Sequence, residues 1–216
     1  FLLIAMALLM TLSFSFATDM LIDNCDVVSN VSTLANGYAN FSTTPWSLVV
    51  EADSVNKTEG VASFKITQTN NCSTAVAANW NNGWVDHTFT TPVDITDKEW
   101  FQFDVKNEQA ITGLTLLVVL FDENGQAARY WPTGIFGTSA GFRTISLRLS
   151  DFQKDTWTVS GKSVNMKKIV KIRYQYANAG AMPAGAFTYW LDNVRFAKNI
   201  SKVVERPFIN FDEFAT

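Results

Sequence analysis

The residues able to do chemistry in this sequence are few and scattered. Its single histidine, His87, lies between Asp86 and Thr88. Alternation along Trp84–Thr90 groups His87 with Val85 and Phe89, an inward or sheet-edge position that suits a packed ring better than a proton carrier. No HExxH pattern occurs, and GxSxG occurs once, as GTSAG (137–141). The acids fall mostly in turn-like stretches: Asp94, Asp97, Glu108, Asp122, Glu123, Asp151 and Asp155. A glycosidase of the sandwich type needs two carboxylates about 5–10 Å apart on one face. No strand-like stretch here carries carboxylates at i and i+2. The residues therefore read as non-catalytic, with a hydrolase or lyase as a lesser alternative.

Aromatic side chains carry a stronger signal. There are 17 Phe, 7 Trp and 5 Tyr, together 13% of the chain. Such rings fill a core, or stack on the apolar faces of pyranose rings while flanking polar groups bond the hydroxyls. Trp80 and Trp84 stand in the polar stretch NWNNGW, Tyr130 and Trp131 follow a hairpin signal, and Tyr176 stands beside Asn178. Any one ring reads slightly better as packing. As a set, with Arg173 and Gln175 near Tyr176 on one strand, they read as a sugar-binding surface. Asp23 and Asp26 near the start and Asp192 near the end form a third candidate. If the first and last strands are neighbours, these acids would suit a structural Ca²⁺; otherwise they are solvated turn acids. Cys25 and Cys72 can form one disulfide in an oxidising compartment. Two cysteines and one histidine do not make a metal site.

The elements that must position these residues are short strands. Apolar or alternating runs occur at Met20–Asp23, Trp46–Glu51, Ala62–Thr69, Trp84–Thr90 and Glu99–Lys106. Further runs occur at Gly113–Asp122, Ala127–Trp131, Phe142–Leu149, Lys168–Tyr176 and Phe187–Phe196. Asn124-Gly125 between two of them is a hairpin signal. No ten-residue stretch keeps a 3.6-residue period. The fold class is all-β, an antiparallel β-sandwich. Gly113–Asp122 is apolar on both faces and reads as a central strand. In Lys168–Tyr176, Val170, Ile172, Tyr174 and Tyr176 share one face and Lys171, Arg173 and Gln175 the other. That second face is solvated or binds something polar.

Composition bounds the rest. The 216 residues carry 17 Lys+Arg against 20 Asp+Glu, a net charge of −3, which argues against nucleic acid as a partner. With 47% hydrophobic and 17% charged residues, the chain is not a disordered tail. Residues 1–17 are uncharged, apolar and end in a small-x-small pattern, the mark of a signal peptide, here truncated at its start. The run is short for a bilayer span, so no membrane span is expected in the mature chain. Secretion follows, and the sequons at Asn30, Asn40, Asn56, Asn71 and Asn199 make a glycoprotein where a host supplies the machinery. Residues 18–198 form the module, and 199–216 a linker or the start of a further module.

The order of motifs resembles the family 11 carbohydrate-binding modules and, more widely, the galactose-binding-like jelly-roll modules attached to glycoside hydrolases. The resemblance covers about Met20–Lys198 and is carried by LIDNCD (21–26), EGVASFKIT (59–67), PVDITDKEWFQFDVK (92–106), FRTISLRLSDF (142–152), IVKIRYQYAN (169–178) and YWLDNVRF (189–196). It implies a jelly-roll sandwich without catalysis that holds a β-glucan-like polysaccharide in a concave aromatic cleft and targets a fused glycoside hydrolase or a cell surface. It places Trp84, Tyr130, Trp131, Arg173, Gln175 and Tyr176 at the cleft. It places a structural calcium at Asp26 and Asp192, with Asp23. The chain departs from the family at Cys25, Gln68 and Phe142. A cell-surface assembly module on the same sandwich is the alternative.

Overall fold

The computed structural model describes residues 19–35, 46–70, 83–110, 114–131, 135–137, 139–154, 162–178 and 184–199. The strands are β1 (Met20–Asp23), β2 (Val31–Ala35), β3 (Trp46–Asp53), β4 (Ser63–Asn70), β5 (Gly83–Val93) and β6 (Trp100–Asn107). They continue as β7 (Leu114–Asp122), β8 (Ala127–Tyr130), β9 (Ser139–Arg148), β10 (Gln153–Lys154), β11 (Ile169–Asn178) and β12 (Gly185–Ala197). One six-stranded sheet runs β3-β4-β12-β6-β9, with β1 also paired to β12. The other six-stranded sheet runs β10-β8-β7-β11-β5-β2. Every pairing is antiparallel. The expected sandwich is the fold found.

Period-2 alternation explains the layering. In β6, Phe101, Phe103 and Val105 enter the core between the sheets. Phe196 of β12 and Tyr174 of β11 meet them there, with ring centroids 5.3 Å (Phe196) and 6.3 Å (Tyr174) from Phe101. Leu116, Val118 and Leu120 of β7 join the same core. All ten strands expected from the pattern are present. Two were not expected. β10 has only two residues, and β2 (VSTLA) has too few apolar positions to stand out. Both lie at the edges of one sheet, where a strand needs no apolar face on both sides.

Candidate functional site

The outer face of the β10–β2 sheet gathers the chemistry. Along β11, Ile172 and Tyr174 are buried in the core, so the intervening Lys171, Arg173 and Gln175 turn outward. Register carries that face across the sheet in rows. One row holds Trp84, Gln175 and Leu117. A second holds Gln153, Arg129, Val119, Arg173, Asp86 and Ser32, one from each of the six strands. A third holds Ala127, Phe121, Lys171 and Thr88. Leu117, Val119 and Ala127 form an apolar cluster separate from the main core, with Phe121 and Trp131 packed on it. Thus β7 buries both faces, as its uninterrupted apolar run requires.

Charge on this face is tightly arranged. Arg173 donates from Nε to Asp86 Oδ1 (2.7 Å) and from Nη2 to Oδ2 (2.8 Å). Its guanidinium lies 4.1 Å from the Trp84 ring centroid and 5.2 Å from that of Phe121. Lys171 Nζ lies 4.3 Å from the Phe121 ring and 3.4 Å from Asp86. The cations are partly desolvated: 18% of the Arg173 side chain and 26% of the Lys171 side chain remain exposed. Each cation–π contact in such a setting is worth about 0.5–2 kcal/mol. Asp86 holds the Arg173 guanidinium over the Trp84 ring. With both oxygens occupied, Asp86 is poorly placed to move a proton. The face presents ring surface and N–H donors, the two things a sugar chain uses.

Of the expected site residues, Trp84, Arg173, Gln175 and Trp131 share this face. Tyr130 does not. It points to the opposite side of β8, against the main core, with its ring centroid 5.5 Å from that of Phe152. Tyr176 pairs with Gly83 and Leu116, at the same parity as Ile172 and Tyr174; its side chain lies outside the described residues. Trp80 also lies outside them. Sequence reasoning missed Asp86, Phe121 and Arg129. Their signal was alternation on β5, β7 and β8, which becomes usable only once cross-strand register is known.

The acids near the two ends were expected to hold calcium. β1 does lie beside β12. The carboxylates, however, are each taken up separately. Asp23 Oδ1 accepts from the Cys25 N–H at 2.7 Å, and Oδ2 lies 3.0 Å from His87 Nδ1. Asp26 Oδ1 accepts from the N–H groups of Val61 and Ala62, both at 2.7 Å. Asp192 Oδ2 accepts from the Thr58 N–H (2.5 Å) and hydroxyl (2.8 Å), and Oδ1 from the Asn193 N–H (2.8 Å). Calcium needs six to eight converging oxygen ligands. Among the described residues no group of three acids, histidines or cysteines could hold a metal ion. As arranged, Asp23, Asp26 and Asp192 do not fit the ion. N–H and O–H donors compensate them instead.

Cys25 is a buried free thiol; Cys72 lies outside the described residues. Burial, and then the negative charges of Asp23 and Asp192, push the Cys25 thiol well above its ordinary range. His87 packs edge-on to Phe89 with centroids 5.0 Å apart, the inward position expected of it. One carboxylate pair does form. Asp104 and Asp192 stand opposite each other on β6 and β12, in the other sheet. The Thr58 hydroxyl lies 2.9 Å from Asp104 and 2.8 Å from Asp192, Thr144 donates to Asp104 at 2.6 Å, and both acids are buried. They lie in the β3–β9 sheet, away from the aromatic face.

No protein-family model matches this sequence, and no curated protein does. Solved structures share the fold. A family 11 carbohydrate-binding module from Clostridium thermocellum, in complex with a β-1,3-1,4-mixed-linked tetrasaccharide, is 15% identical with a TM-score of 0.58. The alignment covers 85% of this chain and 98% of that one. A family 30 module from a cellulosomal cellulase of the same organism is 10% identical with a TM-score of 0.54, over 84% and 98% of the two chains. An exo-β-agarase is 16% identical with a TM-score of 0.53, covering 86% of this chain but 26% of the agarase. This chain has the jelly-roll sandwich of those modules. Among its described residues no helix is long and apolar enough to cross a membrane.

Proposed function

We propose that this chain is a secreted, non-catalytic module that binds a polysaccharide on the outer face of the β10–β2 sheet. The observation that carries the reading is the Trp84–Arg173–Asp86 arrangement, with Trp131 on the same face and an apolar floor between. Trp84 and Trp131 offer ring faces. The remaining guanidinium N–H groups offer hydrogen bonds. The strand of Trp84 and the one that leads to Trp131 are three strand spacings apart, about 14 Å, a span that several sugars of an extended chain would cover. A flat β-linked backbone, as in β-glucans, suits such a row. The shared fold with modules of families 11 and 30 supports the reading, and the match to about a quarter of an agarase supports attachment to a glycoside hydrolase. Affinity would be modest, because an open face immobilises a flexible ligand while burying little of it.

Native gels containing a panel of soluble polysaccharides, mixed-linked β-glucan among them, test this. The chain should be retarded by at least one polymer. Trp84→Ala should weaken that retardation about tenfold, the size of one lost stacking and hydrogen-bonding site. No retardation by any polymer, or a Trp84→Ala variant retained like its parent, would sink the assignment.

A further inference from the structure

The sheet opposite the aromatic face has a concavity of its own. Ala186, Phe187, Thr188 and Trp190 of β12 line it, with Glu108 and Gln109 from just beyond β6. Register explains the grouping. Tyr189 pairs with Asn107, and Trp190 with Lys106. Tyr189 is buried in the main core, so Trp190 and Lys106 turn to the outer face, and Thr188 and Glu108 follow at the same parity. Trp190 makes a fixed wall. It is only 6% exposed, and its indole N–H donates to Asp53 Oδ2 at 2.7 Å. Lys106 Nζ lies 4.9 Å from the ring centroid and is itself held by Asn56 Oδ1 at 2.6 Å. A wall arranged beforehand spares a ligand the cost of ordering it. Glu108 Oε1 lies 3.4 Å from Lys106, and one ion pair leaves a carboxylate with acceptor capacity to spare. Its side chain remains 65% exposed at the rim. The cavity measures about 210 Å³, below the 300–1,000 Å³ or so that drug-sized ligands occupy, so it fits one sugar ring rather than a run of them. An indole wall beside a carboxylate, an amide and a hydroxyl suits the C–H face and hydroxyls of a pyranose, and the carboxylate disfavours an acidic one. We propose that this cavity is a second sugar site that takes one uncharged pyranose unit, with Trp190 as its apolar wall and Glu108, Gln109 and Thr188 as its hydrogen-bonding groups. It does not depend on the Trp84 face. With both sites filled, one module holds two glycan strands, one on each side of the sandwich.

Titration of the isotope-labelled whole chain with methyl β-D-glucoside and with methyl β-D-galactoside, followed by NMR, tests this. At least one glycoside should shift the indole N–H of Trp190 and the backbone amides of Glu108 and Thr188 along a single saturable curve. Glu108→Ala should raise the dissociation constant of that curve about tenfold, the size of one lost hydrogen bond to a charged group. The side chain is exposed, so the variant should keep the parent's spectrum away from the cavity. Glu123→Ala, which removes an equal charge from the exposed turn between β7 and β8, should leave the curve where it is. No saturable shift at these residues with either glycoside, or a curve unmoved by Glu108→Ala, overturns the second site. Shifts confined to the Trp84 face also overturn it, while polysaccharide binding on that face stands.

Discussion

At the scale of single residues, side chains were legible where one strand decided their direction. Arg173 and Gln175 were readable because Ile172 and Tyr174 alternate with them. Asp86 was not, because its partner lies 87 residues away on another strand. Tyr130 was misassigned for the same reason: in Ala127–Tyr130 either alternate set could have been the inner one, and only pairing with β7 decides it. Other carboxylates act locally. Asp53 is held well below the usual carboxylate range by the Asn56 side-chain amide first, then by the Asn56 backbone N–H and the indole N–H of Trp190. A folded value below the unfolded one means the folded state binds fewer protons. The stability this group contributes is therefore present above about pH 4 and lost as pH falls toward the folded value. Thermal melts of Asp53→Asn should show a variant less stable than the parent at pH 6, with the two curves converging under strong acid. Curves that stay equally far apart at both ends would refute the linkage. The same geometry bears on the sequons. Asn56 uses its amide to donate to Asp53 and accept from Lys106, whereas Asn30 and Asn199 are exposed.

Elements were more legible than residues. Ten strands announced themselves through alternation or unbroken apolar runs, and β7 announced its central place by being apolar on both sides. What stayed hidden was how loops attach to strands. The turn before β4 illustrates this. Gly60 adopts a left-handed conformation (φ +58°), and a Cβ there would lie 2.5 Å from both carboxylate oxygens of Asp26. Oδ1 of that carboxylate accepts from the next two N–H groups, so the turn and the segment after β1 are fastened together. Gly60→Ala faces both the dihedral penalty and the clash. It should cost about 1–3 kcal/mol, readable as a lower midpoint in urea at unchanged slope. A midpoint within error of the parent would show that the turn can shift freely. In the sequence EGVASFKIT, Gly60 is visible, but the carboxylate above it is not.

For the whole molecule, the sandwich and its class of relatives were accessible from composition, strand spacing and motif order together. Asp23, Asp26 and Asp192, expected from the same motifs to hold calcium, are met by N–H and O–H donors among the described residues. Motif order preserves which acids face the first and last strands, but the intervening loop decides what compensates them. Here Thr58, Val61 and Ala62 supply donors where a cation would otherwise be needed. The expected result is a melting temperature that does not move when EDTA is added to protein purified with calcium. A drop of several degrees on chelation, restored by calcium, would contradict the donor-compensated arrangement.

The antiparallel pairing of β1 with β12 sets Met20 directly across from Phe196. Strands so paired lie only about 5 Å apart. Both ends of the sandwich therefore leave from one spot. A host protein could accept the module inside one of its own surface loops as readily as at a terminus. A circular permutant that bridges residues 19 and 198 with a short peptide, and reopens at an exposed turn such as Asn124-Gly125, should keep both sheets intact.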